Sequence, residues 1–201
     1  MTAISRRHAV MLGTAALVAP LPALAADDAV APVEAFYDAL VAQMKKGGPA
    51  RARYEMLKPA VEKAFDLPGM TAVAVGPAFA SLPEADRKAL TDAFERMTIA
   101  NYVKNFDSFS GEKFAVEPAS INRPPSTDKL VKSTLKTGKD TIPFNYRMHQ
   151  VGAEWKIEDI YLNGNISQMA QRRSDFSATF AASGAAGLTK KINALADQML
   201  S

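Results

Sequence analysis

Few residues of this sequence carry side chains that could act as a nucleophile, a general base or a metal ligand. The chain has no cysteine, which excludes thiolate nucleophiles, cysteine-ligated metals and redox dithiols. Of its two histidines, only His149 lies outside the first 25 residues. A serine–histidine–aspartate triad or a histidine metal site beyond residue 25 would therefore have to use His149.

His149 lies in a stretch that alternates between apolar and polar residues, the pattern of a half-buried strand. The alternation places it with Asn145 and Arg147, on the side opposite Tyr146 and Met148. No set of carboxylates occurs around it in the sequence at the spacing of a metal site. We interpret His149 as a solvated surface side chain and expect no metal.

Glu158 and Asp159 are adjacent in the sequence and could suggest an acid/base pair. Neighbouring side chains of a strand point to opposite faces, so these two cannot act together. Alternation places Asp159 and Tyr161 on the face of Trp155 and Ile157, where we expect Asp159 to accept hydrogen bonds or a salt bridge. The sequence contains neither GxxxxGK(S/T) nor GxGxxG, and no cofactor is expected.

Residues 1–25 have the pattern of a cleaved export signal. Arg6 and Arg7 precede a short apolar run, and Ala23 and Ala25 provide a small-x-small cleavage site. We predict cleavage near Ala25, with the general secretory and twin-arginine routes both open. The whole chain has a net charge of +3, and removal of the two arginines leaves it near neutral. Such a charge gives no support for nucleic-acid binding.

The first half of the remaining chain has the apolar period of helices. A helix is predicted over residues 32–46, and a second stretch is expected to kink or split at Pro59. Ser81 and Glu84 have the spacing of a capping box, which predicts the start of the longest helix. Two further helices, separated at Gly184, follow at the end of the chain.

Between these helical parts the apolar period changes to two, which predicts strands over residues 113–121, 129–137, 142–149 and 155–162. Pro118 interrupts the first of them and favours an edge position. Helices, then a sheet, then helices predict an α+β domain with an antiparallel sheet of about four strands and helices packed on one face.

Four basic residues, Lys132, Lys136, Arg147 and Lys156, fall on one strand parity and would lie on the outer face of this sheet. The simplest interpretation is a solvated face, and the alternative is a docking surface for anionic lipid headgroups or an acidic partner. The apolar residues include ten Phe and nine Met. Their periodicity does not distinguish a filled core from a cavity for a lipid tail.

Motifs in order along nearly the whole chain after residue 25 resemble one known family. They are RYEMLKP at 53–59, FDLPGM at 65–70, AVGPAF at 74–79, YVKNF at 102–106, SGE at 110–112, NYRM at 145–148, WKIEDIY at 155–161, GNIS at 164–167 and RRSDF at 172–176. The chain resembles the MlaC/toluene-tolerance family of periplasmic lipid-binding proteins. Residues 65–68 and 172–176 are most similar to its hopanoid-biosynthesis-associated HpnM branch. One departure is Phe79, where many members carry Trp.

This resemblance implies an MlaC-like, NTF2/cystatin-like fold and a single lipid-binding domain over residues 26–201. It implies a periplasmic carrier that moves a phospholipid or a hopanoid between the inner and outer membranes. The partners would be an inner-membrane transport complex and an outer-membrane acceptor. A monomer is expected, and the family offers no catalytic residues to transfer.

On this basis we expect the apolar face of the sheet and the facing helices to enclose a dry pocket for the lipid tail. The lining residues predicted from the sequence are Phe79, Phe94, Val103, Phe106, Phe144, Tyr146, Met148, Trp155 and Ile157. Two other functions stay open. One is an interaction or scaffold protein of a membrane lipid-transport complex, with a fully packed core. The other is a small-molecule enzyme that depends on His149 or Asp159.

Overall fold

The structure, a computed structural model, describes residues 27–201, so the predicted export signal lies outside the described residues. The helices are α1 (Ala31–Lys46), α2 (Ala50–Ala64), α3 (Leu67–Val75), α4 (Glu84–Asn105) and α5 (Gln168–Leu200), with a 3₁₀ turn at Pro77–Ser81. The strands are β1 (Lys113–Val116), β2 (Ile121–Asn122), β3 (Lys129–Val131), β4 (Ser133–Thr137), β5 (Asp140–Val151), β6 (Glu154–Leu162) and β7 (Ile166–Ser167). Within residues 27–201, no helix is long and apolar enough to cross a membrane.

The sheet is antiparallel and is organised around β5. One edge of β5 pairs with β6, and the other edge pairs with β4 along its first part and with β3 further on. β1 pairs with β4, β2 with β3, and β7 with β6. The sheet is therefore the predicted meander, in which the first two predicted strands are each divided into two short segments, one of the divisions falling around Pro118.

A bulge in β6 changes which residues face the core. Met148 pairs with Ile157, but Arg147 pairs with Asp159, so Glu158 is an additional residue in β6. As a result Ile157 and Ile160, three residues apart, are both buried among the core side chains. The alternation predicted from the sequence is correct up to Ile157 and wrong beyond the bulge.

Tyr161 shows the effect of the bulge most directly. It pairs with Asn145 rather than with a core residue of β5. The guanidinium of Arg123 lies over its ring, 5.6 Å from the centroid. Because Asn145 and Arg147 share the outer face of β5, Tyr161 belongs to that face and not to the face of Ile157.

The helices cover one face of the sheet, as predicted. Phe36 and Leu40 of α1 and Phe94 of α4 are almost completely buried in one continuous core that also contains residues of β5 and β6. α5 packs along α4 and α3. Its two parts are separated at Gly184, where a φ of 59° interrupts the helical backbone as the sequence predicts.

Two predictions about helix boundaries are corrected. α2 runs without a break from Ala50 to Ala64, so Pro59 lies inside the helix and does not split it. α4 begins at Glu84 after Pro83, with no side-chain cap, and the Ser81 hydroxyl donates instead to the carbonyl of Ala78. Ser81 ends the preceding 3₁₀ turn, and that turn rather than a capping box defines the start of α4.

The buried carboxylate of Asp159 ties the beginning of α5 to β6. Its Oδ1 accepts hydrogen bonds from the amides of Ile160 at 2.7 Å and Met169 at 3.1 Å, and its Oδ2 accepts one from the Ser167 hydroxyl at 2.6 Å. The Ser167 Oγ in turn accepts from the Ala170 amide and caps the helix. The prediction that Asp159 accepts hydrogen bonds is confirmed.

Two buried side chains of the first helices hold the end of α4. The Arg53 guanidinium donates to the carbonyl of Val103 at 2.6 Å, and the Gln43 amide donates to the carbonyl of Phe106 at 2.7 Å. The last carbonyls of a helix have no partner within the helix, so these donors satisfy groups that would otherwise be buried without one. The position of α4 over the sheet is thereby fixed to α1 and α2.

We expect Asp159→Ala to lower the free energy of unfolding by roughly 2–4 kcal/mol, because buried donors lose a charged acceptor. The exposed Asp175 of α5 provides the control, and Asp175→Ala should change stability by less than about 0.5 kcal/mol. Urea unfolding followed by circular dichroism measures both variants. Equal losses for the two would contradict the role assigned to Asp159.

Candidate functional site

A cavity of about 270 Å³ lies between the apolar face of the sheet and helices α3, α4 and α5. Helix α4 contributes six of its lining residues, and the others come from α3, β5, β6, α5 and Phe106, which directly follows α4. The lining consists of Met70, Phe94, Met97, Thr98, Asn101, Tyr102, Asn105, Phe106, Phe144, Ile160, Leu162, Gln168, Met169 and Arg172. These positions are distant in the sequence and meet only because the helices cover the sheet.

The interior of the cavity is apolar and adaptable. Met70, Met97 and Met169 come from three different helices, and Met side chains adjust to variable shapes more easily than branched ones. Phe94 adds an aromatic surface that is almost completely buried. The hydroxyl of Thr98 donates to the carbonyl of Phe94 at 2.8 Å, so it presents no unpaired donor to a ligand.

The rim of the cavity is polar and carries a positive charge. Asn101, Asn105, Gln168 and Arg172 line it, and all four are exposed or only partly buried. The Arg172 guanidinium lies 3.8 Å from the carboxylate of Asp175, a spacing that leaves it able to contact other anions. The arrangement suits a ligand with an apolar body and a polar or anionic end.

The residues predicted from the sequence to line a pocket fall into three groups. Phe94, Phe106 and Phe144 line the cavity. Four others, Val103, Tyr146, Met148 and Ile157, are completely buried in the adjoining core. Phe79, in the 3₁₀ turn, is half-buried and packs against the core, and Trp155 lines a separate groove described below. Their contact with a ligand stays a prediction.

Sequence reasoning missed much of the lining. Met70, Met97 and Met169 have the spacing of ordinary core residues. Strict alternation along β6 predicts that Ile160 lies on the face opposite Ile157, and the bulge at Glu158 makes that prediction wrong. A weak signal existed for the rim. Gln168 and Arg172 are four residues apart on one helix and share a face, as do Asn101 and Asn105.

Three buried tyrosines form a neutral aromatic group beside the cavity. Burial raises the pKa of Tyr102, which lines the cavity, and raises the pKa of Tyr37 to about 12. The Tyr37 hydroxyl lies 2.6 Å from that of Ser133. Burial also raises the pKa of Tyr146, whose hydroxyl has no hydrogen-bond partner within residues 27–201. These phenols stay protonated and add no charge to the cavity wall.

A larger groove lies on the other side of the first helices. It has a volume of about 570 Å³ and is formed by α1, α2 and the turn between β5 and β6. The lining consists of Asp28, Ala31, Pro32, Ala35, Phe36, Pro59, Ala60, Lys63, Ala64, Ala153, Glu154 and Trp155. Most of these side chains are small or apolar, and three of them, Asp28, Lys63 and Glu154, are charged.

His149 lies on the outer face of the sheet, but it is not isolated. Its Nδ1 lies 3.2 Å from Asp128 Oδ1, and Glu158 is close enough for the three groups to offer ligand atoms within 4.8 Å of one another. The prediction that no carboxylates converge on His149 is therefore wrong. Asp128 is 21 residues away in the sequence and reaches His149 through the pairing of β3 with β5.

Arg147 occupies the centre of this outer cluster. Its Nε lies 2.7 Å from Asp128 Oδ2 and 3.1 Å from Glu158 Oε2. Burial acts to raise the pKa of Asp128, but hydrogen bonds from Arg147 and His149 outweigh it and lower the pKa. Both carboxylates already have a cation, so a metal ion would have to displace the guanidinium, and the cluster serves as an ion-pair network.

The outer basic face predicted from the sequence is partly neutralised. Arg147 is paired with the two carboxylates, and the Lys156 ammonium lies 3.1 Å from Glu154 and donates to the carbonyl of Lys63 at 2.6 Å. Two of the four predicted cations therefore make contacts within the protein, which favours the solvated-face interpretation over a docking surface.

Comparisons with known proteins agree on the fold. The family model described as MlaC protein matches residues 33–194. A phospholipid-binding protein from Ralstonia solanacearum, solved in complex with a phospholipid, has a similar structure with a TM-score of 0.74 and 19% sequence identity. The similarity covers 87% of this chain and 100% of that one. No match was found among curated proteins.

The outer cluster predicts an acid-dependent stability. The pKa of Asp128 is lowered in the folded state, so its carboxylate stabilises the fold above its ordinary pKa of 3.8, and this contribution is lost as the pH falls. We expect Asp128→Asn to be less stable than the wild type at neutral pH, with the difference shrinking between about pH 5 and 2. Denaturant unfolding over a pH series measures it, and a difference independent of pH would refute the assignment.

Proposed function

The chain belongs to the MlaC family, and from this premise we propose that it is a periplasmic lipid carrier that binds a phospholipid in the cavity between the sheet and α3, α4 and α5. The observation that carries the proposal is the polarity of that cavity. Its interior is apolar and its rim holds three amides and the guanidinium of Arg172. An acyl chain would lie inside, and an anionic headgroup would remain at the rim, where water also reaches it.

The energetics of such binding are favourable without specific polar contacts in the interior. Each methylene group removed from water contributes about 0.8 kcal/mol, so a partly buried acyl chain gains several kcal/mol. The neutral tyrosines and the three methionines around the cavity impose no charge that would have to be desolvated. The binding is therefore expected to select for apolar chains more strongly than for a particular headgroup.

The positions of His149 and Asp159 favour a carrier over an enzyme. Neither residue lines the cavity. His149 contacts Asp128 on the opposite face of the sheet, and Asp159 is fully used in holding the start of α5. A reaction in the cavity would need a titratable group at the ligand, and the tyrosine that lines it is held protonated by burial.

We further propose that the protein moves its lipid between the inner and outer membranes. A carrier whose cavity encloses the tail protects it from water during transfer, and an inner-membrane transport complex and an outer-membrane acceptor would load and unload it. The cargo is a glycerophospholipid in this proposal. A hopanoid, expected from the resemblance to the HpnM branch, is the second candidate, and its rigid ring system would need a wider cavity than an acyl chain.

The direct test is native mass spectrometry of protein purified from its own host, which should show co-purified lipid. Delipidated protein should regain thermal stability when phospholipid is added, since a ligand that binds only the folded state stabilises it. Hopanoid added in parallel separates the two cargoes. A protein that carries no lipid and gains no stability from either would exclude the carrier function.

A variant that fills the cavity sharpens the test. We expect Thr98→Phe to place a ring in the cavity and to weaken phospholipid binding by about tenfold or more. Thr91→Phe is the matched control on the same helix: Thr91 donates to the carbonyl four residues earlier, as Thr98 does, but does not line the cavity. Lipid retention by the two variants is compared by native mass spectrometry, and equal retention would place the site elsewhere.

A further inference from the structure

We infer that the groove between α1, α2 and the β5–β6 turn is a second compartment of the binding site, which receives the second acyl chain of a two-chain lipid. The inference rests on the proposed function and extends it. The first argument is volume. The cavity of about 270 Å³ lies below the roughly 300–1,000 Å³ typical of pockets for drug-sized ligands, and a two-chain lipid is larger than those.

The groove has the volume that the cavity lacks, and its walls are also mainly apolar. Its volume of about 570 Å³ is twice that of the cavity, and its walls are built from Ala35, Ala60, Pro59, Phe36 and Trp155, among others. Small side chains on both helices leave a channel whose sides are methyl groups and aromatic rings. An extended hydrocarbon chain gains burial along such a channel without needing any hydrogen bond.

The cavity and the groove share a wall that is one layer of aromatic rings thick. Phe36 lines the groove and Tyr102 lines the cavity, and their ring centroids are 4.8 Å apart in an edge-on contact. Phe65 completes the wall, with its ring 4.9 Å from that of Phe36 and 5.9 Å from that of Tyr102. All three rings are almost completely buried, so the two spaces join only when a bound chain displaces these side chains.

The charged residues of the groove are compatible with an acyl chain as the occupant. The side chain of Glu154 is 69% exposed and is paired with Lys156, so it lies at the surface rather than in the path of the chain. Asp28 and Lys63 carry opposite charges, which gives no net field to select a charged segment. A charged partner peptide would be recognised by a surface of one sign, and the groove does not offer one.

Trp155 provides a direct probe of the groove, because it is the only tryptophan of the chain and lines the groove. Bromine atoms on an acyl chain quench tryptophan emission on contact. Delipidated protein is loaded with a phosphatidylglycerol that carries bromine on one of its two chains, and binding is verified by native mass spectrometry. We expect strong quenching relative to the same lipid without bromine, and weaker quenching by a brominated single-chain lysophospholipid, which the inner cavity can hold alone.

A matched pair of variants locates the effect. Ala35 and Ala42 are both exposed and lie two turns apart on α1, but only Ala35 lines the groove. Ala35→Glu therefore puts a carboxylate in the groove, whereas Ala42→Glu puts one on the surface outside it. We expect Ala35→Glu to weaken binding of the two-chain lipid by about tenfold and to abolish the quenching, with little change in lysophospholipid binding. Ala42→Glu should behave like the wild type in all three measurements.

The outcomes separate this inference from the proposed function. If the wild type binds both lipids but Trp155 is not quenched, or if Ala35→Glu leaves two-chain binding unchanged, the groove is not part of the site and the inference is overturned. An equal loss of both lipids in Ala35→Glu overturns it as well, since it indicates a general defect. If the wild type binds neither lipid, the proposed function itself fails.

Discussion

The carboxylate of Asp159 is the interaction on which the geometry of the cavity most depends. It accepts the amides of Ile160 and Met169, and both of these residues line the cavity, one from the sheet and one from α5. A second buried polar side chain, Arg53, fixes the opposite side of the cavity. Its guanidinium donates to the carbonyls of Val103 and Phe106 and so holds the end of α4. Buried polar groups fix the frame of the cavity, while apolar contacts fill its interior. A frame held by directional hydrogen bonds can keep its shape around a space that its own side chains do not fill.

This division explains why the motifs that indicated the family contain no catalytic set. Arg53 supports the end of α4, Asp66 caps α3 by accepting from the Gly69 amide, and Asp159 anchors α5. The amide of Asp66 also donates to Ile157, so the junction of α2 and α3 covers the free edge of β6. Each of these polar residues determines the position of a wall of the cavity. For a binding protein whose ligand is mainly apolar, such positions are as informative about the family as catalytic residues are for an enzyme.

The sequence predicted the four-stranded meander, the helical first half and the covered face, because each depends on a local apolar period. It placed Phe94, Phe106 and Phe144 correctly beside the cavity for the same reason. The bulge at Glu158 could not be predicted, because Ile160 and Leu162 lie on one parity and Tyr161 on the other, so large side chains suit the core in either register. The pairing of Asp128 with His149 depends on a contact across β3 and β5 that no local pattern records. Local periodicity defines faces, whereas cavities and ion pairs arise from how the faces meet.

The sheet separates the charged side chains on its outer face from the apolar side chains on its inner face. Arg147 and His149 alternate with Tyr146 and Met148 along β5, so the charged network lies outside while the inner face is apolar. The bulge preserves the arrangement by returning Ile160 to the inner face and leaving Glu158 with the outer cluster. The strand residues that line the cavity, Phe144, Ile160 and Leu162, are all apolar, and the phenol of Tyr102 on α4 is held protonated by burial. The charged network of the sheet therefore stays on its outer face, and the strand wall of the cavity offers a ligand only apolar contacts.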